Sequence, residues 1–531
     1  MIRDQSSKQT VLDFYLPFGG KLSAENRWVK LAEIIPWDEL GTIYNHQLNS
    51  NMGAPSTPSR VVIGALILKH LKKLTDEEVI EDIRENPYYQ YFLGFEDFQY
   101  RTVFVPSLFV EIRKRLGMEQ LQEINELFLS KLSEKEDDRD PPESGVSDSD
   151  AISKDQTAGS SEAPEAVASK AGEENPDEVR RGMLIMDATV APSDIRYPTD
   201  VDLLNTAREK AEGLIDLLWQ VKSVGSKPRT YRQVARKKYL AFTHHRKARK
   251  KQIRKAIRQQ LGYLGRDLKH INRLLDDQVT AVPCSGSPLS FKQQRMLWII
   301  SELYRQQQWM YDHRTHTIQN RMVSIAQPYV RPIVRGKAGK QVEFGAKLSG
   351  VVIEGNVYLD NLSWDAYNEN SDMKGAVEKY RQRFGFYPES VNADKIYWSR
   401  ENRWYLKEKN IAMYGGKPLG RPKKIDELTP EEKREHKEKS KRRNWIEGKF
   451  GEGKRAYGLG LVMAKTQQTS ESWIAMVIFV MNIARAFRDI FLSLLFWLLK
   501  GSIMLTFRVR IKNQRHQDPC VNHSRILSYL T

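Results

Sequence analysis

Cysteine is almost absent from this chain: Cys284 and Cys520 are the only two in 531 residues. Two cysteines cannot form the disulfide framework that stabilises small secreted domains, and such low usage fits a reducing compartment. No cysteine and histidine residues stand at zinc-binding spacings. The first residues are polar and charged, without the apolar run of a secretory signal peptide. These shortages exclude a disulfide-rich secreted protein and a zinc-finger protein, and we expect a cytoplasmic location.

Long hydrophobic runs are also scarce. One apolar run near the C-terminal end, Ile490–Leu499, is separated from a second, Ile503–Phe507, by Lys500 and Gly501. This run is too short for a bilayer-spanning helix, which needs about 20 apolar residues. We therefore expect no membrane partner and interpret the run as a core or partner-facing helix, within an apolar and then basic tail at 489–531. A membrane-associated protein is the remote alternative.

Negative charge is under-represented, because 84 Lys and Arg residues face 67 Asp and Glu residues and leave a net charge of +17. The excess is concentrated between Arg229 and Arg273, where Asp267 is the only acid. A positive charge of this density predicts a polyanionic partner such as DNA. The candidate contacts to the DNA backbone are Arg246, Lys247, Arg249, Lys250 and Lys251. The alternative is a helical brace whose charged face is merely solvated.

The first 132 residues are predicted to form a helical domain. Thr75-Asp76-Glu77-Glu78 has the pattern of a capping box, which starts a helix. A later helix at Ser107–Leu116 carries Arg113 and Lys114. Two helices joined by a short turn and followed by a basic helix are typical of helix-turn-helix DNA binding, although a plain helical bundle has the same pattern.

Residues 133–180 are predicted to be an acidic disordered linker, since they lack aromatic residues and cannot bury enough apolar surface to fold alone. Residues 181–488 alternate between strand patterns and helix patterns, which predicts an α/β domain. The predicted strands are 183–186, 350–353, 356–359 and 389–393. The predicted helices are 200–221 and 375–384. A basic helical insertion at about 205–330, with helical patterns at 231–275 and 290–320, interrupts this domain. No repeat is evident.

Three acids in this domain form a candidate metal site. Asp187 and Asp394 each follow a short strand pattern, and Glu447 lies on a predicted helix one turn after Arg443, with Lys454 returning to the same face two turns later. The plain interpretation is that the aspartates begin turns and the helix has a solvated charged face. Together, three acids in a very basic chain favour a site for two Mg²⁺ ions that catalyses phosphoryl transfer.

These motifs resemble the DDE triad of bacterial insertion-sequence transposases, in the broad group that includes the IS-Five type. The resembling blocks are 187–200, 332–348, 394–402 and 443–454. In the last block, Arg443, Glu447 and Lys454 have the separations of the family's tyrosine-arginine-glutamate-lysine signature. The chain departs from the signature at Ser440, where the family has tyrosine.

The resemblance implies a ribonuclease-H-like catalytic core in which Asp187, Asp394 and Glu447 are catalytic and bind Mg²⁺ or Mn²⁺. It also implies that Arg443 and Lys454 contact DNA phosphates near the scissile bond. The expected partners are double-stranded DNA, as the terminal inverted repeats of the element and as target DNA, and a second copy of the chain in the DNA complex. The expected location is the nucleoid of a bacterial cytoplasm.

Three functions remain open at this point. The first is a transposase that binds element ends, cleaves them and transfers the strand to target DNA. The second is a metal-dependent nuclease without strand transfer, since the same site performs both reactions. The third is a catalytically inactive DNA-binding protein descended from a transposase, against which the presence of all three acids counts.

Overall fold

The computed structural model describes residues 20–46, 48, 56–137, 180–222, 226–245, 247–281, 287–337, 340–415 and 429–489. Most of the predicted acidic linker and the tail beyond Asp489 lie outside these residues. Of the predicted DNA contacts, Arg246 also lies outside them.

Within the described part of residues 20–137, the chain forms seven helices. They are α1 Arg27–Ile34, α2 Trp37–Asn45, α3 Ser59–Lys72, α4 Asp76–Glu85, α5 Pro87–Phe92, α6 Leu108–Arg115 and α7 Met118–Asp137. The predicted capping box is confirmed: the Thr75 hydroxyl accepts a hydrogen bond from the backbone N–H of Glu78, whose carboxylate accepts one from the backbone N–H of Thr75. Helix α7 continues to Asp137, so residues 133–137 of the predicted linker are helical.

A second group of helices lies between the first two strands of the sheet. In the described residues these are α8 Asp200–Lys222, α9 Arg232–Thr243, α10 Lys250–Ala281 and α11 Phe291–Asp312. The helical pattern predicted over 231–275 is therefore two helices and not one. The apolar faces of α8, α10 and α11 form a hydrophobic core that is separate from the core of the rest of the chain. The predicted helical insertion thus has a packed interior of its own.

The remaining residues form a six-stranded mixed sheet in the part of the chain that the structure describes. Its strands are β1 Met183–Pro192, β2 Arg331–Lys337, β3 Lys340–Ile353, β4 Asn356–Ser363, β5 Ser390–Asn392 and β6 Ala412–Tyr414. Strand β3 is antiparallel to β1, β2 and β4, whereas β5 lies parallel to β1 and β6 parallel to β5. The predicted α/β class is confirmed, although β2 and β6 are not in the prediction.

Helices make the crossovers that parallel strands need. Helix α12, Asp372–Phe384, connects β4 to β5, and α13, Arg400–Glu408, connects β5 to β6. Two long helices follow: α14, Pro430–Ala456, and α15, Gln467–Asp489.

Helix α15 lies inside the protein. Among the described helices, it alone is long and apolar enough to cross a membrane, yet 78% of its most apolar window is buried within the protein. The sequence pattern at 473–487 predicts an amphipathic helix, with Trp473, Val477, Val480, Met481 and Ala484 inward; the first four are buried and Ala484 is half-buried. The opposite side is buried as well, for example at Met476 and Ile483, so the amphipathic prediction is wrong. A helix that is apolar all round belongs in a core.

The reason for this burial is that α15 lies between the N-terminal helices and the sheet. Asn482 donates a hydrogen bond to Asn125 of α7 at 2.8 Å, and it exchanges hydrogen bonds with both backbone groups of Val357 in β4. The ring of Phe479 packs edge-on against Phe128 of α7. The N-terminal helices, α15 and the sheet consequently share one hydrophobic core.

Candidate active site

Asp187 lies near the middle of β1. The sequence had predicted that it stands at the end of a strand. The strand continues past it because β3 pairs with β1 as far as Pro192, and this pairing buries Ala188, Val190 and Ala191 in the sheet. The backbone N–H of Ala188 donates a hydrogen bond to Asp187 Oδ1 at 2.8 Å. The strand is therefore longer than predicted, and the carboxylate lies on the central strand of the sheet.

Strand register brings Asp394 beside Asp187. In the parallel pairing of β1 with β5, Ile185 lies opposite Asn392. Two residues further along both chains, the same register sets Asp187 beside Asp394, where β5 has just ended. Asp394 there begins a 3-10 turn, and its Oδ1 accepts a hydrogen bond from the backbone N–H of Lys395 at 2.7 Å.

Glu447 reaches the site from α14. This helix lies against the sheet through Ile446 and Phe450, which are one turn apart and buried. Gly350, the partner of Asp187 in β3, permits the close approach, because a Cβ atom there would lie 2.8 Å from Cζ of Phe450. The apolar stripe of α14 therefore fixes Glu447, one residue after Ile446, at the edge of the contact with the sheet.

Arg443 joins two of the acids. Its Nη1 lies 3.2 Å from Asp394 Oδ1 and its Nη2 lies 3.3 Å from Glu447 Oε1. The side chains of Asp394 and Glu447 are each about half exposed, at 50% and 55%. A cation thus lies between two carboxylates that face solvent, whereas the sequence spacing predicted only that Arg443 and Glu447 share one helix face.

The third acid is electrostatically coupled to the other two. The pKa of Asp187 is raised from 3.8 to about 6. Burial is the largest cause, and the negative charges of Glu369, Glu447 and Asp394 add to it, whereas the hydrogen bond from Ala188 opposes it. A half-buried carboxylate surrounded by other carboxylates is stabilised by a bound cation, and raised pKa values of this kind cluster at functional sites.

Glu369 is a fourth acid at this place, and the sequence reasoning missed it. It lies in the 3-10 turn Glu369–Ser371, and its Oε1 is 2.8 Å from Nζ of Lys347 on β3. Among the carboxylates that raise the pKa of Asp187, Glu369 has the largest effect. A residue in a short irregular turn carries no periodic signal, so the sequence offered no way to place it.

Asn402 holds the two acid-bearing turns together. Its side-chain amide donates hydrogen bonds to the backbone carbonyl of Asn370, at 2.7 Å, and to that of Tyr397, at 2.8 Å. The first carbonyl belongs to the turn with Glu369, and the second ends the turn that Asp394 begins. Asn402 is 3% exposed. The resembling block around residue 394 includes this asparagine, but only the structure gives it a positioning role.

The other residues of the last block lie along α14. Lys454 is half-buried near the C-terminal end of the helix. The backbone of Ser440 is helical, and its side chain lies outside the described residues. Arg443, Glu447 and Lys454 therefore share one helix, as their spacing predicted.

The predicted DNA contacts of the N-terminal helices differ from each other in the structure. Arg113 is buried and forms a bidentate ion pair with Asp76, at 3.0 and 2.8 Å. This arginine is not presented to solvent, and its predicted role as a DNA contact is therefore corrected to a structural one. Lys114 is exposed and pairs with Glu111 within the same helix, at 2.8 Å.

The basic run of the insertion is on the surface. Lys247 and Arg249 are exposed in the connection between α9 and α10, and Lys250 and Lys251 are exposed at the start of α10. Their exposure is what contact with an external polyanion requires. It is equally what a solvated face would show, so their role in DNA binding stays a prediction.

The acids do not yet form a closed metal cage. In the described residues, no three His, Cys, Asp or Glu side chains stand close enough together to hold one metal ion. Asp394 and Glu447 instead both form ion pairs with the guanidinium of Arg443. The chemistry of the donors is nevertheless that of hard carboxylate oxygens, which suit Mg²⁺ and Mn²⁺.

Comparison with known proteins identifies two segments. Residues 391–484 match a family model described as Transposase DDE domain, and residues 17–115 match one described as Transposase domain (DUF772). The first segment contains Asp394 and Glu447, and the second contains α1 to α6. The resemblance to insertion-sequence DDE transposases is thereby confirmed.

A curated relative is similar to part of the chain. An uncharacterized protein of Rhizobium meliloti, ORF8 in nfe locus, is 38% identical over 96 residues, which are 18% of this chain and 46% of that protein. The chain thus spans about half the length of this relative. No solved structure matches the chain.

Proposed function

We propose that this chain, two segments of which match transposase models, is a metal-dependent DDE transposase that binds element ends, cleaves DNA there and joins the 3′ end to target DNA. The observation that carries the proposal is the electrostatic coupling of acids from three separate elements. Arg443 contacts Asp394 and Glu447, and both of these raise the pKa of Asp187. A ribonuclease-H-like core is part of the proposal. It is supported by the mixed sheet, in which Asp187 lies on β1 and Asp394 directly follows the neighbouring strand β5.

Asp187, Asp394 and Glu447 are the residues that would hold divalent ions, and two ions are proposed. The fit rests on the donor set, which consists of carboxylate oxygens, and on the raised pKa of Asp187, which a nearby positive charge would lower again. When bound, Mg²⁺ or Mn²⁺ supplies the activation of an attacking oxygen and the stabilisation of a leaving oxygen in phosphoryl transfer.

The cations of α14 would position the DNA. Arg443 lies at the acids, and Lys454 lies seven residues beyond Glu447, which is about 10 Å further along a helix. Two cations at this separation can contact phosphates about three positions apart on one strand, at roughly 3.4 Å per phosphate, and hold its register at the site. Arg443 would also position the acids, because its two ion pairs keep Asp394 next to the face of α14 that carries Glu447. No protein nucleophile is required, because water attacks first and the freed 3′ hydroxyl attacks the target.

The regions outside the catalytic site are proposed to recognise and hold the DNA. Residues 1–132 are proposed to recognise element ends, with Lys114 as a contact, and residues 133–180 to link them to the catalytic domain at 181–488. The insertion, with Lys247 and Arg249–Lys251, is proposed to contact the DNA backbone. A homodimer on the DNA and a nucleoid location complete the proposal.

The test uses three conservative variants of the full chain. Asp187→Asn, Asp394→Asn and Glu447→Gln should each abolish cleavage of element-end DNA while DNA binding is retained, and chelation should stop cleavage by the wild-type chain. The control is Glu452→Gln, because Glu452 lies on the same helix but pairs with Arg488. Its cleavage rate should stay close to wild type.

Two results would count against the proposal. Cleavage that survives Asp187→Asn or Asp394→Asn would remove these acids from the site. A wild-type chain that cleaves but does not join a pre-cut 3′ end to target DNA would be a nuclease and not a transposase.

A further inference from the structure

Three cations of the insertion are stacked on tyrosine rings. Arg229 and Arg266 each lie 4.9 Å from the ring centre of Tyr231, and Arg266 also lies 5.6 Å from that of Tyr263. Lys238 lies 5.5 Å from the ring centre of Tyr263. The four contacts form one continuous series of alternating cations and rings across α9 and α10. Stacking fixes the cations in place and leaves their hydrogen-bond donors unused.

Other cations in the same region are ion-paired with a carboxylate. Lys227 and Arg232 both pair with Asp216, each at 2.7 Å. By contrast, Arg229, Lys238 and Arg266 have no carboxylate partner within 4.0 Å among the described residues. We call these three residues the stacked cations. Their positive charge is therefore available to an external ligand.

The stacked cations extend the basic run of the α9–α10 connection. Helices α9 and α10 pack together and are joined by residues 244–249, so they form an antiparallel hairpin. Lys250 stands at its tip and Arg266 lies 16 residues further along α10, which corresponds to about 24 Å. Over that length a DNA strand presents about seven phosphates, at roughly 3.4 Å each.

We infer that the stacked cations form a track for the backbone of duplex DNA along the α9–α10 hairpin, continuous with Lys247 and Arg249–Lys251 at its tip. The inference rests on the proposed function for the identity of the polyanion and adds the residues that contact it. Arginines that are already ordered by stacking lose little side-chain entropy when they bind a phosphate. The track has no built-in means of reading bases, so binding through it should be independent of sequence.

A protein partner is the competing ligand for this surface. Val234 and Leu240 on α9 are 47% and 45% exposed, and exposed apolar side chains can mark a protein contact. Charge favours DNA, because three unpaired cations would have to be desolvated in a contact with another copy of this basic chain.

The experiment measures the affinity of the full chain for a random-sequence duplex of about 30 base pairs, in chelator, as a function of salt. Replacing Arg229, Lys238 and Arg266 together by Gln should flatten the plot of log affinity against log salt by about 0.9 per lost contact, hence by up to about 2.7. Single variants give the sharpest comparison. Arg229→Gln should flatten the slope, whereas Lys227→Gln, two residues away, should not, because Lys227 already forms an ion pair with Asp216.

Charge-retaining variants separate binding from folding. Arg229→Lys with Arg266→Lys should keep most of the slope, and the melting temperature of every variant is recorded alongside. An unchanged slope in the well-folded triple variant overturns the track while leaving the proposed function intact. A wild-type chain that fails to bind duplex DNA overturns both. Salt-insensitive self-association that is lost in the triple variant would assign the surface to a second copy of the chain and overturn the track.

Discussion

Replacing Asp187 by Asn should stabilise the metal-free protein at neutral pH while it destroys the catalytic site. The pKa of this carboxyl is raised from 3.8 to about 6, so its ionised form is less stable in the folded chain than in the unfolded chain. A shift of about two units corresponds to about 3 kcal/mol. Because the folded state binds the proton more tightly, stability falls as pH rises from about 4 to about 6 and stays lower above that window. Asparagine has no charge to lose, so the variant should avoid this penalty.

The assay compares the melting temperatures and denaturant midpoints of the wild type and Asp187→Asn between pH 4 and pH 8, in chelator. The difference in the free energy of unfolding should be close to zero near pH 4 and should grow to about 3 kcal/mol in favour of the variant above pH 7. Asp394→Asn is the matched control. It is equally damaging to the site, but Asp394 is half exposed and paired with Arg443, so its loss should cost stability by about 1 kcal/mol or less. A gain at Asp187 that does not change with pH, or a loss at pH 7, would refute the electrostatic argument.

Three further outcomes are expected. Asn402→Ala should lower Mn²⁺ affinity measured by calorimetry, because two backbone carbonyls lose their donor, whereas Asn482→Ala should lower the melting temperature and leave Mn²⁺ affinity unchanged. Gly350→Ala should destabilise the fold by about 1–3 kcal/mol and slow cleavage, because the new Cβ atom would push Phe450 and with it α14. Glu369→Gln removes one cause of the raised pKa of the β1 aspartate, so the acid limb of the cleavage pH profile should move to lower pH.

The sequence predicted which strands and helices carry the acids of the site better than it predicted where these strands and helices end. Strand β1 was expected to end at Asp187 because an acid interrupts the apolar run there, but Ala188–Pro192 continue the strand. The length of β1 is set by its pairing with β3, and the local sequence pattern carries no information on that pairing. The helix that carries Glu447 was found from spacing alone, since Arg443 and Glu447 one turn apart are a local feature.

What the sequence could not supply is the identity of distant partners. Arg113 looks like a surface cation of a basic helix, and only the position of Asp76, two helices earlier in the chain, makes it a buried ion pair. Four of the five residues of α15 expected to face inward are buried and Ala484 is half-buried, but the pattern does not reveal that the N-terminal helices cover the other side. Glu369 is invisible for the same reason, because its importance comes from its distance to Asp187 and not from its neighbours in the chain.

The position of α15 has a consequence for how this protein can be divided. Since Asn482 satisfies groups on both α7 and β4, and Phe479 packs on Phe128, the last described helix is an interior component of two regions at once. A chimera that exchanged only the N-terminal helices for those of a relative would leave α15 facing a mismatched surface. The exchangeable module is discontinuous in the sequence and consists of α1–α7 together with α15. The insertion, with its separate core, can by contrast be replaced as one uninterrupted piece of chain.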